Sequence, residues 1–142
     1  MIFGKKEKIE SKPKKVLIAD DQEAWRNFNS QAVYSILGEN TNIEVVSSAK
    51  EAYDKVFENF AEPYDFILTD MQMEDEYSPQ MAGEWLIEHV KPLPQYLNTK
   101  IIIISAAMNI NHIAEKYGVD YIRKATAAAS VDSYATVLNP ML

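Results

Sequence analysis

Residues 16–21 read VLIADD, four apolar residues followed by two adjacent carboxylates. Four apolar residues with no polar alternation are how a strand buried on both faces of a parallel sheet reads. One Asp at the end of such a strand is an ordinary helix N-cap or turn former. A second Asp has no capping task left to do, and two like charges side by side repel. What the pair means depends on which other residues the chain brings near Asp20 and Asp21.

Further short apolar or β-branched runs follow at 43–46 (IEVV), 66–69 (FILT), 101–104 (IIII) and 119–122 (VDYI), and each predicts a strand. FILT and IIII lack alternation, as VLIA does. Between these runs the spacing turns helical. Trp25, Phe28, Ala32 and Ile36 fall close to one face, and Gly38 follows as a stop. Ala49, Ala52, Tyr53, Val56, Phe57 and Phe60 keep helical spacing, with Ser47 or Ser48 as cap and Pro63 beyond. Trp85, Leu86, His89 and Val90 form a third stripe ending at Pro92. Ile110, Ile113, Ala114 and Tyr117 form a fourth before Gly118, and Val131, Tyr134, Ala135 and Leu138 a fifth before Pro140. Five strands and five helices in strict alternation imply a doubly wound α/β fold, with parallel strands, right-handed crossovers and helices on both faces.

The 142 residues suit one domain with a real core. With no cysteine there is no disulfide framework, thiol nucleophile or thiolate metal site. The longest strongly apolar stretch, IIIISAAM at 101–108, is far short of the ~20 residues that span a bilayer. MIFGKKEK lacks the apolar region of a signal peptide, so a cytoplasmic location is expected. Net charge is −7, but residues 1–15 carry six Lys against Glu7 and Glu10, a balance of +4 that leaves −11 on the rest. An acidic body argues against direct nucleic-acid binding. Residues 1–13 read as a basic, flexible leader and 14–142 as the folded domain. His89 and His112 have no partner at metal or triad spacing and are expected to be structural.

In an open α/β sheet, ligands bind beyond the carboxyl ends of the strands, where the strand order reverses. The first predicted strand ends in Asp20 and Asp21, the third in Asp70, the fourth in Ser105 and the fifth in Lys124. Taken alone, the acid pair reads as a helix cap with a surface acid beside it. Three acids brought together repel unless a cation joins them, and Mg²⁺ takes one or two carboxylates while keeping room for water and phosphoryl oxygens. Beside such an ion Asp70 is a ligand and also a nucleophile, since a carboxylate can attack phosphorus to form an aspartyl phosphate. In-line transfer needs charge on the equatorial oxygens neutralised from several sides. The Lys124 ammonium and the Ser105 hydroxyl meet that need alongside the ion.

With VLIADD, FILTDMQM, IIIISAA and DYIRKA in this order, the chain resembles the receiver domain of two-component response regulators over about residues 14–139. The resemblance implies a (βα)5 flavodoxin-like fold and a phosphoacceptor at Asp70. It implies Mg²⁺ held by Asp20, Asp21, Asp70 and the backbone carbonyl of Gln72, phosphate contacts from Lys124 and Ser105, and a switch pair of Ser105 and Tyr121. The implied donor is a histidine kinase or phosphotransfer protein. The implied output is a downstream protein on the face made by the fourth helix, fifth strand and fifth helix, with a phosphorylation-dependent homodimer by family analogy alone. Such a protein is a signalling phosphoacceptor that catalyses only its own phosphorylation and dephosphorylation. Three departures stand out: Ala125 follows Lys124 where the family usually has a cis Pro, Glu74 replaces a usual Pro, and EDEYSPQMAG (74–83) is longer than the usual loop and carries Glu74, Asp75 and Glu76.

Two rivals are separable. A haloacid-dehalogenase-like phosphatase needs D-x-D at its nucleophile, but Asp70 is followed by Met71-Gln72 and Asp21 by Gln22-Glu23. A pseudo-receiver, a phosphorylation-independent protein-binding module on the same fold, is opposed by the intact acids, Ser105 and Lys124. Ala125 and the acidic loop count mildly in its favour.

Overall fold

The computed structural model describes residues 12–73 and 82–139. Within them run β1 (Lys15–Ala19), α1 (Glu23–Leu37), β2 (Asn42–Val46), α2 (Ala49–Glu58), β3 (Phe66–Thr69), α3 (Ala82–Val90), a 3₁₀ turn (Pro94–Tyr96), β4 (Lys100–Ser105), α4 (Ile110–Tyr117), β5 (Asp120–Arg123), α5 (Lys124–Ala129) and α6 (Asp132–Leu138). The five strands form one parallel sheet in the order β2-β1-β3-β4-β5. The chain leaves β1 toward β2 and returns on the other side to β3, so the strand order reverses between β1 and β3.

The uninterrupted apolar runs are explained by the two cores. Side chains alternate across a strand, so both faces of a covered sheet need apolar residues. Leu17, Ala19, Ile67, Ile101 and Ile103 face α2, α3 and α4, where they meet Ala52, Val56, Leu86, Val90 and Ile113. Val16, Ile18, Phe66, Leu68, Ile102 and Ile104 face the other way, onto Ala32 and Val33 of α1 and Tyr134, Val137 and Leu138 of α6. Each such aliphatic side chain contributes about 1.5–3 kcal/mol on full burial. A polar residue in the middle of IIII would break one core or the other.

Local signals set the helix ends. Ser48 caps α2 by accepting the Glu51 amide at 3.1 Å, and Glu51 returns a carboxylate to the Ser47 amide at 2.9 Å. Gly118 ends α4 in the left-handed region, at φ 66°, with its amide on the Ala114 and Glu115 carbonyls. Strict five-and-five alternation needs one correction, because six helices are present among the described residues. The additional one, α5, starts at Lys124 directly from β5, and Ala125 lies within it rather than in a loop. No peptide bond among the described residues is cis. The run KATAAA has no apolar periodicity, but alanine is the strongest helix former. No helix of the described residues is long and apolar enough to cross a membrane.

Candidate phosphoacceptor site

Sheet register brings the acids together. Ala19 pairs with Thr69, so the next residues, Asp20 and Asp70, leave the sheet side by side at the reversal point. Both remain tied to the ladder, with the Asp20 amide on the Val46 carbonyl at 3.2 Å and the Asp70 amide on the Ala19 carbonyl at 3.0 Å. Ser105 pairs with Arg123, which delivers Lys124 to the same edge one residue later. Asp20, Asp70, Ser105 and Lys124 are all buried, and Asp21 is half-buried. Asp20, Asp21 and Asp70 each offer a carboxylate oxygen within 4.8 Å of the others.

Lys124 sits among the acids. Its ammonium donates to Asp70 Oδ2 at 2.9 Å and lies 3.0 Å from Asp20 Oδ2. Burial works against the charged amine, but the hydrogen bond and charge of Asp70, joined by Asp20, outweigh it and hold the Lys124 pKa above its ordinary value. Asp70 Oδ1 accepts the Met71 amide at 2.6 Å and lies at the outer limit, 3.5 Å, from the Gln72 amide. Asp20 Oδ1 accepts the Gln22 amide at 2.9 Å, so this acid closes the turn into α1 while its other oxygen faces Lys124. Burial raises the Asp20 pKa, and the Asp70 charge adds to it against the Gln22 amide and Lys124. After burial, the same Asp20 charge also raises the pKa of Tyr134 beneath it.

The donor set fits a hard divalent cation. Three carboxylates around one ammonium leave a formal excess of two negative charges. Despite its closeness to Lys124, buried Asp20 Oδ2 takes no aligned hydrogen bond. An all-oxygen cluster with surplus charge and an unsatisfied lone pair is what Mg²⁺ coordination requires. Gln72 is exposed in the turn after Asp70. Glu74, Asp75 and Glu76 lie outside the described residues.

Ser105 ends β4 at the same sheet edge, and Tyr121 lies on β5. Ser105 Oγ accepts the Ala107 amide at 3.2 Å, and its proton has no acceptor among the described residues. Tyr121, 38% exposed, points to the outer face of β5 with the Arg123 guanidinium 5.8 Å from its ring centroid. Arg123 also donates to the Met108 carbonyl and to Asn111 Oδ1, both at 3.3 Å, linking β5 to the start of α4. His89 stacks on Trp85 at 4.4 Å, away from the site.

Three contributors were not singled out from sequence. Trp25, assigned to the core stripe of α1, places its ring 4.9 Å from Lys124 Nζ. Arg26 donates to the Asp20 carbonyl at 2.9 Å, steadying the acid from behind. Gly83 donates its amide to the Met71 carbonyl at 2.9 Å, and a Cβ there would lie 2.3 Å from the Asp70 carbonyl oxygen. Only a residue without a side chain lets α3 approach the Asp70 turn so closely. The available signal for Trp25 and Arg26 was their place one helical turn after the acid pair.

Two buried carboxylates and a half-buried third thus stand at the reversal point, with the ammonium of Lys124, the first residue of α5, against the buried pair. The chain belongs to the response regulator receiver domain family of two-component signalling, whose model matches residues 16–134. No individual curated protein matches it in sequence. Solved structures share its fold. The chemotaxis response regulator CheY4 of Vibrio cholerae aligns with a TM-score of 0.71 at 20% identity, covering 92% of this chain and 100% of that one. The phosphorylated cyanobacterial phytochrome response regulator RcpA gives 0.66 at 18%, covering 92% and 91%. A mutant receiver domain of the histidine kinase CKI1 from Arabidopsis thaliana gives 0.69 at 21%, covering 90% and 89%. At these identities the likeness is one of fold.

Proposed function

We propose that Asp70 accepts a phosphoryl group from a phosphohistidine on a histidine kinase or phosphotransfer protein, and that the aspartyl phosphate switches a protein-interaction surface. The observation that carries this reading is the placement of Asp70: buried at the carboxyl end of β3, 2.9 Å from Lys124 and clustered with Asp20 and Asp21. Asp20, Asp21, Asp70 and the Gln72 carbonyl are the residues that would hold Mg²⁺, which when bound neutralises charge on the transferring group and on the acids. In the transfer an Asp70 oxygen forms a bond to phosphorus as the P–N bond to the donor imidazole breaks, and the bonding pair leaves on that nitrogen. Lys124 holds the carboxylate oriented and then follows the charge outward onto a phosphoryl oxygen. The Ser105 hydroxyl, with its proton unclaimed, donates to another.

The switch reading rests on Ser105, the last residue of β4, and Tyr121 on neighbouring β5, which pairs with Ile103 two residues before Ser105. Drawing Ser105 toward the phosphoryl group favours the state in which Tyr121 turns inward, leaving Arg123 and altering the face of α4, β5 and the helices that follow. That face would carry the downstream protein partner, and a phosphorylation-dependent homodimer would use it too. Residues 14–142 act as one receiver domain behind a basic leader at 1–13, in the cytoplasm, with no direct nucleic-acid contact.

Intact mass after incubation with acetyl phosphate tests the reading. A Mg²⁺-dependent gain of one phosphoryl group is expected in the wild type and none in Asp70→Asn. Ser105→Ala is expected to take the label but to lose most of the Tyr121 response. A wild type that gains nothing under any condition would favour the pseudo-receiver, a binding module independent of phosphorylation.

A further inference from the structure

Lys124 has a neighbour that the carboxylate chemistry does not explain. The indole of Trp25, in the first turn of α1, presents its ring to the ammonium with the centroid 4.9 Å from Nζ. The ring is backed rather than loose. Phe28 meets it edge-on at 5.2 Å and 70°, and Phe28 in turn lies 6.2 Å from Tyr134, whose hydroxyl donates to buried Asn29 at 2.5 Å. Trp25 is therefore fixed by the seam that joins α1 to α6, and the ammonium is enclosed by two carboxylates and one aromatic ring.

The two kinds of contact do different things. A carboxylate pins an ammonium along an N–H direction, whereas a ring face attracts it through the quadrupole with little directional demand. The charge Lys124 must follow moves when Asp70 becomes an acyl phosphate, from the carboxylate to the phosphoryl oxygens. A cation that slides along a ring face stays desolvated during that move, while one passing between carboxylates through water does not.

We infer that Trp25 is a positioning residue of the phosphoryl-transfer site: its indole face holds the Lys124 ammonium over Asp70, screens it from water on the α1 side and guides it as the phosphoryl group arrives. The inference rests on the phosphoacceptor reading of Asp70. The plainer role, an aromatic that merely packs in the α1 stripe, differs in what a substitution does. Leu fills much of the space but has no ring, and Phe keeps a weaker ring.

The test compares wild type, Trp25→Phe and Trp25→Leu, with Trp25→Met in place of the Leu variant should that one not fold. In metal-free, unphosphorylated protein the Lys124 ε-methylene proton resonances are expected upfield of ordinary lysine values through the ring current. They should move partly back in Trp25→Phe and fully back in Trp25→Leu. With Mg²⁺ and acetyl phosphate, the initial rate of phosphoryl gain is expected to fall about 2- to 30-fold in Trp25→Leu, the range of an exposed to a desolvated cation–π contact. Trp25→Phe should recover most of that loss. Equal rates in all three proteins, or a Phe variant as slow as the Leu variant, would overturn the inference and leave packing as the role of Trp25. A wild type that takes no phosphoryl group would overturn the phosphoacceptor reading and this inference with it, whereas a labelled wild type with unaffected variants overturns this inference alone.

Discussion

The two edges of the sheet hold the same kinds of groups in opposite circumstances. At the carboxyl edge Lys124 lies 2.9 and 3.0 Å from Asp70 and Asp20, all buried. At the amino edge Lys12 lies 2.9 Å from Glu62, with those side chains 82% and 67% exposed, and Lys100 lies 3.1 Å from a half-exposed Asp120. Distance does not separate the two edges, but water does. Solvent and salt screen the outer pairs, so their loss or gain changes little. The buried set of Asp20, Asp70 and Lys124 carries one more negative charge than positive, with little solvent to absorb it, and half-buried Asp21 adds a second. Any ion, proton or phosphoryl group arriving there changes its energy, which is what a switch requires.

Matched substitutions at the two edges put that contrast at risk. The largest effect is expected from Lys124→Met. It leaves buried Asp20 and Asp70 facing each other and should cost about 3–5 kcal/mol of stability in chelator. Added Mg²⁺ should raise the melting temperature of this variant more than that of wild type, because the ion replaces the missing positive charge. Lys12→Met should leave both the melting temperature and its Mg²⁺ response unchanged. Equal effects at the two lysines would show that burial is not what distinguishes the edges.

Glycines offer a second pairing. Gly83→Ala forces a Cβ to 2.3 Å from the Asp70 carbonyl oxygen and 2.7 Å from Met71 Cα, both backbone. It should cost about 1–3 kcal/mol in chemical denaturation and slow phosphoryl gain by displacing the Asp70 turn. Gly118→Ala meets nothing within 4 Å and is strained only by its φ of +66°. It should cost about 1 kcal/mol and leave phosphoryl gain untouched.

The smallest effect concerns pH. Burial and the Asp70 charge hold the Asp20 pKa above its ordinary 3.8, so between the two values the folded chain binds this proton more readily than the unfolded chain. Metal-free wild type should therefore lose stability as pH rises through that window, and the loss should persist above it. Asp20→Asn removes the penalty. Its melting curve in chelator should lie above wild type at neutral pH and converge on it as pH falls below the carboxyl pKa of the unfolded chain. A variant less stable than wild type at pH 7 would mean that the Asp20 carboxylate is net stabilising.

What the sequence made legible follows the same contrast between local and distant causes. VLIA, FILT and IIII declared themselves because a strand covered on both faces must be apolar at every position. Once their order was read, Asp20, Asp70, Ser105 and Lys124 fell at strand ends that the register brings to one edge. The expected strands begin and end within a residue of those observed. Helix α5 was missed because its signal is alanine propensity rather than periodicity. Trp25 was legible as a core residue but not as a neighbour of Lys124, since that contact spans 99 positions and depends on how α1 crosses the sheet. Buried Glu84 was not legible either. It sits in AGEWLI as an acid among apolar residues, and its partners come from a different helix: the Tyr117 hydroxyl at 2.8 Å and the Lys116 ammonium at 3.6 Å, both on α4.

The most direct measurement of the central claim is to locate the phosphoryl group. Wild type treated with acetyl phosphate and Mg²⁺ is reduced with borohydride, which converts an acyl phosphate side chain to its alcohol, then digested and mapped by mass spectrometry. Conversion confined to position 70, and lost when Mg²⁺ is chelated, is the expected result. Conversion at Asp20, Asp21 or another acid, with Asp70 intact, would contradict it.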